Sequence, residues 1–122
     1  MTSENERGDR WCSLLSNQVV FLTGAAGWIA HHIARTCFDH GARLALADLD
    51  VETIKKVNDD LLANENTSER LLVVHVDVTN EETIAHAVQL TLAKWKTIDI
   101  LINTSVYPSM IDTESDLASL SL

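Results

Sequence analysis

Apolar residues come along this chain in two alternating rhythms. Continuous apolar runs stand at residues 18–23 (QVVFLT), 43–47 (RLALA), 71–76 (LLVVHV) and 98–102 (IDILI). Short runs of this kind, rich in Val, Ile and Leu, read as strands covered on both faces in a parallel sheet. Each run ends on a glycine or a polar residue: Gly24, Asp48, Asp77 and Asn103. Between the runs the spacing changes to that of a helix. In residues 28–40, Ile29, Ile33, Ala34, Cys37 and Phe38 form one stripe, and Gly41 follows where a left-handed residue ends a helix. In residues 51–62, Ile54, Val57 and Leu61 share a face, and Asp50 is placed to cap the first turn. After Asp77, Thr79 and Glu82 have capping-box spacing, and the helix they open turns Ile84, Val88, Leu92 and Trp95 inward.

Strands that alternate with single helices are joined by crossovers, which give a parallel sheet with helices on both faces. The spatial order expected is 3-2-1-4, with the fourth strand at an edge. Residues 1–16 read as a polar arm, on which Trp11, Leu14 and Leu15 are the residues able to fold back. Residues 17–106 read as the domain, with 63–69 as a polar loop inside it. Residues 107–122 read as a tail, where Leu117 and Leu120 are spaced for the start of a helix. On the fourth strand Ile98, Ile100 and Ile102 share one face and Leu101 takes the other. An open apolar edge invites pairing. The chain is therefore expected to be marginally stable and to associate, with itself or with a full-length relative.

Charge narrows the partners. With 18 acidic and 9 basic residues the net charge is −9. Phosphate backbones are bound by clustered Lys and Arg, so nucleic acid is excluded as the expected partner. Cys12 and Cys37 are too few and too far apart for a disulfide framework. Residues 1–15 lack the basic-then-apolar order of a leader, and no apolar run is long enough to span a bilayer, so the expected location is cytoplasmic.

Residues 23–30 (TGAAGWIA) carry the chemistry, because they lie where the first strand turns into a helix. Such a junction aims backbone amides and the positive end of the helix at one point, which suits a pyrophosphate. Gly24 permits the tight turn, Gly27 admits a ligand close to the backbone, and Ala30 is the small residue for close helix–strand packing. Thr23 precedes the turn, and Trp28 and Ile29 open the helix. Asp48 ends the second strand 24 residues after Gly24. A carboxylate there accepts from an adenosine ribose and repels a 2′-phosphate, so NAD is expected over NADP, with no Arg beside it to reverse the preference. Asp48 also stands near enough to the next helix to cap it, but Asp50 is the better cap. Asp77 and Asn103 occupy the same strand-end position, and in a doubly wound sheet ligands bind outside those ends. The fold class is thus α/β: a Rossmann-type doubly wound parallel sheet truncated to about four strands.

Residues 15–106 resemble the short-chain dehydrogenase/reductase family. Residues 23–30 are similar to its TGxxxGxG loop. Asp77-Val78 is similar to its Asp-Val pair beside the adenine, and residues 99–103 (DILIN) to the run into its NNAG motif. The resemblance implies an NAD(P)-dependent oxidoreductase that moves hydride between NAD(H) and an alcohol or carbonyl. It implies cofactor contacts at Thr23, Gly24, Gly27, Trp28, Ile29, Asp48, Leu49, Asp77, Val78 and Asn103. Three features depart from the family pattern. Trp28 stands where shorter members have glycine; its side chain either crowds the pyrophosphate or points away along the helix. NNAG is reduced to Asn103-Thr104-Ser105-Val106. Tyr107, the sole tyrosine, has Ile111 in place of the Lys of Tyr-x-x-x-Lys. That pair is the family's general acid/base, with the Lys lowering the Tyr pKa. No catalytic residue is assigned. A non-catalytic dinucleotide-binding or regulatory module and a non-functional truncated product remain alternatives to the enzyme.

Other polar groups fit structural roles better. His31 and His32 point about 100° apart on a helix and do not share a metal ion easily. His75 and Asp77 share a strand face, which suits packing or a hydrogen bond. Ser105 and Ser109 have no base nearby in sequence. Lys94 and Lys96 flank Trp95 where cations complement a helix C-terminus.

Overall fold

A computed structural model describes residues 13–64 and 69–105. The order of elements is β1 (Val19–Thr23), α1 (Trp28–Asp39), β2 (Arg43–Asp48), α2 (Val51–Leu61), a 3-10 turn (Leu62–Asn64), β3 (Leu71–His75), α3 (Glu81–Trp95) and β4 (Ile100–Asn103). The strands form one sheet of order β3-β2-β1-β4, with every pair parallel. This is the expected α/β, Rossmann-type arrangement.

Side chains alternate across the sheet with the strand period of two. Val20, Leu22, Leu44 and Leu46 face one side, where α1 contributes Ala30, Ala34 and Phe38 and α2 contributes Ile54, Val57 and Leu61. Val19, Phe21, Ala45 and Ala47 face the other, where α3 brings Ala87 and Trp95. Each fully buried Leu or Ile here contributes about 1.5–3 kcal/mol relative to exposure. Small residues set the spacing: Ala30 is buried against the sheet, so α1 lies close to β1.

Turn chemistry fixes the ends of the elements. Gly41 has φ +94° and its amide donates to Phe38 O at 3.1 Å, so it stops α1 as the sequence predicts. Asp50 caps α2 by accepting from Thr53 N at 3.1 Å, also as predicted. The cap of α3 is a correction: it is Asn80, whose Oδ1 accepts from Glu82 N at 2.9 Å, and not Thr79. Thr79 is drawn instead to Asp77, as described below.

The apolar stripe of α3 is also rotated from its expected position. Ala87, Thr91 and Trp95 are buried, Ile84 and Val88 only partly, and Leu92 is exposed. A buried threonine breaks the apolar pattern but is satisfied internally, its hydroxyl donating to Ala87 O at 2.8 Å. On α1, Ile29 is exposed rather than core, because Ala30 takes the contact with the sheet. Ile98 precedes β4 and packs with the α3 side, opposite Ile100 and Ile102.

At the start of the sheet, Asp99 Oδ2 accepts from Val19 N at 2.8 Å and Asp99 N donates to Val19 O at 2.9 Å, which sets the register of β4 on β1. Leu101 on β4 is 67% exposed. Leu15 packs partly on the core and its amide donates to His40 O at 2.8 Å, while Leu14 is exposed. Trp11 and Cys12, with residues 106–122, lie outside the described residues. No helix among the described residues is long and apolar enough to cross a membrane.

Candidate dinucleotide-binding site

The carboxyl ends of β1, β2 and β3 open into one cleft of about 490 Å³. Of the ten residues expected at a cofactor, it brings together Gly24, Gly27, Asp48, Leu49, Asp77 and Val78. Thr23, Trp28, Ile29 and Asn103 do not line it. Val76, Thr79, Thr104 and Ser105 complete the lining and were not anticipated from the sequence. Thr79 could have been found, since Asp-x-Thr is the spacing of an Asx turn. Thr104 could not, because its place depends on how β4 lies beside β1.

Gly24 is needed for two reasons. Its φ of +71° disfavours any side chain, and an added Cβ would meet Thr104 Oγ1 at 2.6 Å and the Thr104 carbonyl carbon at 2.7 Å. The chain after β4 therefore lies directly on the loop. Thr104 Oγ1 donates to Thr23 O at 2.8 Å, and its amide donates to the same oxygen at 3.2 Å. Beneath it, Thr23 Oγ1 donates to Asn103 Oδ1 at 2.6 Å, and Ser105 N donates to that oxygen at 3.1 Å. Thr23 and Asn103 thus tie β1 to β4 under the loop.

Asp48 reaches across from β2. Its Oδ2 accepts from Ala26 N at 3.0 Å and its Oδ1 from Asp50 N at 3.0 Å. Each carboxylate oxygen has room for a second donor. Asp77 Oδ1 accepts from Thr79 Oγ1 at 2.6 Å and from Thr79 N at 2.9 Å. The Thr79 hydroxyl, then its amide, hold the Asp77 carboxyl below the usual carboxylate range. Each acid is followed by an exposed apolar residue that also lines the cleft, Leu49 at 62% and Val78 at 44% exposure. None of the residues lining the cleft is basic.

Positive character comes instead from α1. Its N-cap, Gly27, has no side chain to bond the first turn, and that turn holds no acid. The first bond of the helix runs from His31 N to Gly27 O at 3.0 Å. The amides of Trp28, Ile29 and Ala30 precede it, and an α-helix has no internal acceptor for them. Ala25 and Ala26 spend their own amides on β2, at Ala47 O and Asp48 Oδ2, and Gly27 spends its amide within the loop, on Gly24 O. The Trp28 ring points away from the cleft. It is 79% exposed and stands edge-on to His32 at 5.0 Å. Among the described residues no group of three or more His, Cys, Asp or Glu could hold a metal ion.

A family model described as short chain dehydrogenase matches residues 18–117. The chain belongs to this family. A peroxisomal 2,4-dienoyl-CoA reductase of Danio rerio is 37% identical over 92 residues, 75% of this chain and 30% of the relative. A short-chain dehydrogenase/reductase from Brucella melitensis superposes with a TM-score of 0.68 at 28% identity, covering 83% of this chain and 43% of that one. The N-domain of a bacterial malonyl-CoA reductase, solved with NADP, superposes with a TM-score of 0.70 at 26% identity, over 76% of this chain and 17% of that one. Solved neighbours hold NADP or NAD, and the family consists of NAD(P)-dependent oxidoreductases. This chain spans about a third of the length of such curated relatives.

Proposed function

We propose that the described residues form the adenosine and pyrophosphate end of a nicotinamide dinucleotide site, in an oxidoreductase that moves hydride between NAD(H) and an alcohol or carbonyl. The observation that carries this reading is the cleft that joins Gly24, Gly27, Asp48 and Asp77 beside the uncapped amides of α1. An adenine ring fits between Leu49 and Val78, because an aromatic ring gains from apolar walls. Asp77 addresses its edge. The pyrophosphate lies at the amides of Trp28, Ile29 and Ala30, drawn by backbone dipoles because the cleft has no basic side chain. Ile29 contributes through its amide, its exposed side chain lying outside the cleft lining. Thr23 and Asn103 act beneath the loop, through the chain they hold in place.

Asp48 directs the choice of cofactor. Its oxygens keep lone pairs for a ribose diol while they anchor Ala26 and Asp50, and its charge opposes a 2′-phosphate. NAD is the expected ligand, with NADP disfavoured. Asp48→Asn keeps an acceptor and removes the charge. We expect it to lower the ratio of NAD to NADP affinity by about tenfold, the size of one unshielded charge contact. Calorimetric titration of both ligands checks this, and an unchanged ratio would count against Asp48 as the selector.

No residue among the 122 is assigned a catalytic role, since Tyr107 has Ile111 four residues on. The division into an arm (1–16), a dinucleotide-binding domain (17–106) and a tail (107–122), the cytoplasmic location, and association through the β4 edge all belong to this proposal. Sedimentation of the purified chain tests the last of them.

A further inference from the structure

We propose that His32 is a positioning residue for the ligand: it parks the Trp28 ring along α1 and so keeps the first amides of the helix open to a phosphate. The inference rests on the dinucleotide reading above. Trp28 is the first residue of α1, so its side chain springs from the turn whose amides are uncapped. A ring there has two places to lie, across those amides or back along the helix. The structure shows the second. The ring is 79% exposed and takes no part in either core cluster, so packing does not hold it.

Its ring partner is His32, one turn on. The two rings stand at 82° with centroids 5.0 Å apart. His31 in turn stands at 79° to His32, 5.8 Å away, and limits where that imidazole can turn. Three rings thus stand in series along α1, with the Trp28 ring at the end nearest its first amides. The cleft reaches Gly24 and Gly27 but is not lined by Trp28, as expected if the parked ring leaves the phosphate end clear. No core residue would stop the ring from crossing the amides if His32 were lost. Ligands that carry a phosphate would then compete with it, and adenosine alone would not.

The test is a set of titrations of adenosine, ADP and NAD into the full chain and its variants. For His32→Ala we expect weaker ADP and NAD binding by about three- to tenfold, the range that one edge-on aromatic contact supports. Adenosine affinity and the melting temperature should not move. His32→Phe keeps a ring edge against Trp28 and should restore the wild-type values. Trp28→Gly removes the obstacle, so Trp28→Gly with His32→Ala should bind ADP as Trp28→Gly does. Equal loss for adenosine and ADP, or a double variant as weak as His32→Ala, would overturn the proposal. A ligand-free reading stands beside these: nuclear Overhauser contacts between the Trp28 indole and the His32 imidazole are expected, and their absence overturns the proposal even if every ligand binds. If the contacts are present and wild-type chain binds neither adenosine nor NAD, the dinucleotide reading itself has failed and the role of His32 falls with it.

Discussion

Helices α2 and α3 begin on side chains that cap them, whereas α1 begins on Gly27, which has none. Asp50 and Asn80 satisfy one orphan amide each, and Glu52, Glu81 and Glu82 add negative charge to those first turns. The first turn of α1 has neither feature. Caps and first-turn acids stabilise a helix. Their absence at α1, whose N-cap lines the cleft, leaves its first amides without a side-chain cap among the described residues. On the proposed reading, the contrast separates stabilising chemistry from binding chemistry among three helices packed on the same sheet.

The most damaging way to disturb the contrast is to close the loop. Gly24→Ala forces a side chain into positive φ and onto Thr104. We expect a loss of about 2–5 kcal/mol, the sum of a left-handed residue and an overpacked contact, read from urea unfolding. Gly27→Asp reverses the binding half of the comparison by giving α1 the acidic cap that α2 has. NAD affinity should fall at least about tenfold, because the carboxylate takes the amides and repels phosphate. Stability should change by less than about 1 kcal/mol, since the small gain of a cap over glycine is offset by the close approach of the new Cβ to Gly24 O at 3.2 Å. Calorimetry and urea unfolding on one preparation read both. Asn80→Ala does the opposite: about 1 kcal/mol of stability is lost, and NAD affinity stays as it was.

The smallest effect is in acid. Asp50 is held below its ordinary value by the Thr53 hydroxyl and then the Thr53 amide, and Asp77 in the same way by Thr79. A carboxyl with a lowered folded pKa stabilises the fold above its unfolded value, near pH 4. That contribution is lost as pH falls through the folded value. Thr53→Val should therefore move the midpoint of acid unfolding to higher pH, measured by circular dichroism.

Much of this was legible in the sequence because it depends on near neighbours. The four strands, Gly41 as a stop and Asp50 as a cap follow from local period and turn chemistry. What was not legible depends on tertiary contact. Leu92 fits the apolar period of α3, yet Thr91 is buried in its place because its hydroxyl bonds back to Ala87. Thr79 has capping-box spacing, but the Asp77 carboxylate outcompetes the helix for it. The strand ends that mark the cleft could be read as a row, and Gly24, Asp48 and Asp77 line it. Asn103 stands level with Thr23, one residue short of Gly24, and so bonds Thr23 instead. The chain after it supplies Thr104 and Ser105 in its stead.

The central claim is that the uncapped start of α1 is where a dinucleotide binds. Backbone amide spectra of the nitrogen-labelled chain, recorded while NAD is added, test it most directly. The account predicts saturable shifts at the amides of Trp28, Ile29 and Ala30 and at Asp48 and Asp77, with the first turns of α2 and α3 unmoved. A folded chain whose Trp28, Ile29 and Ala30 amides stay fixed at millimolar NAD would contradict it.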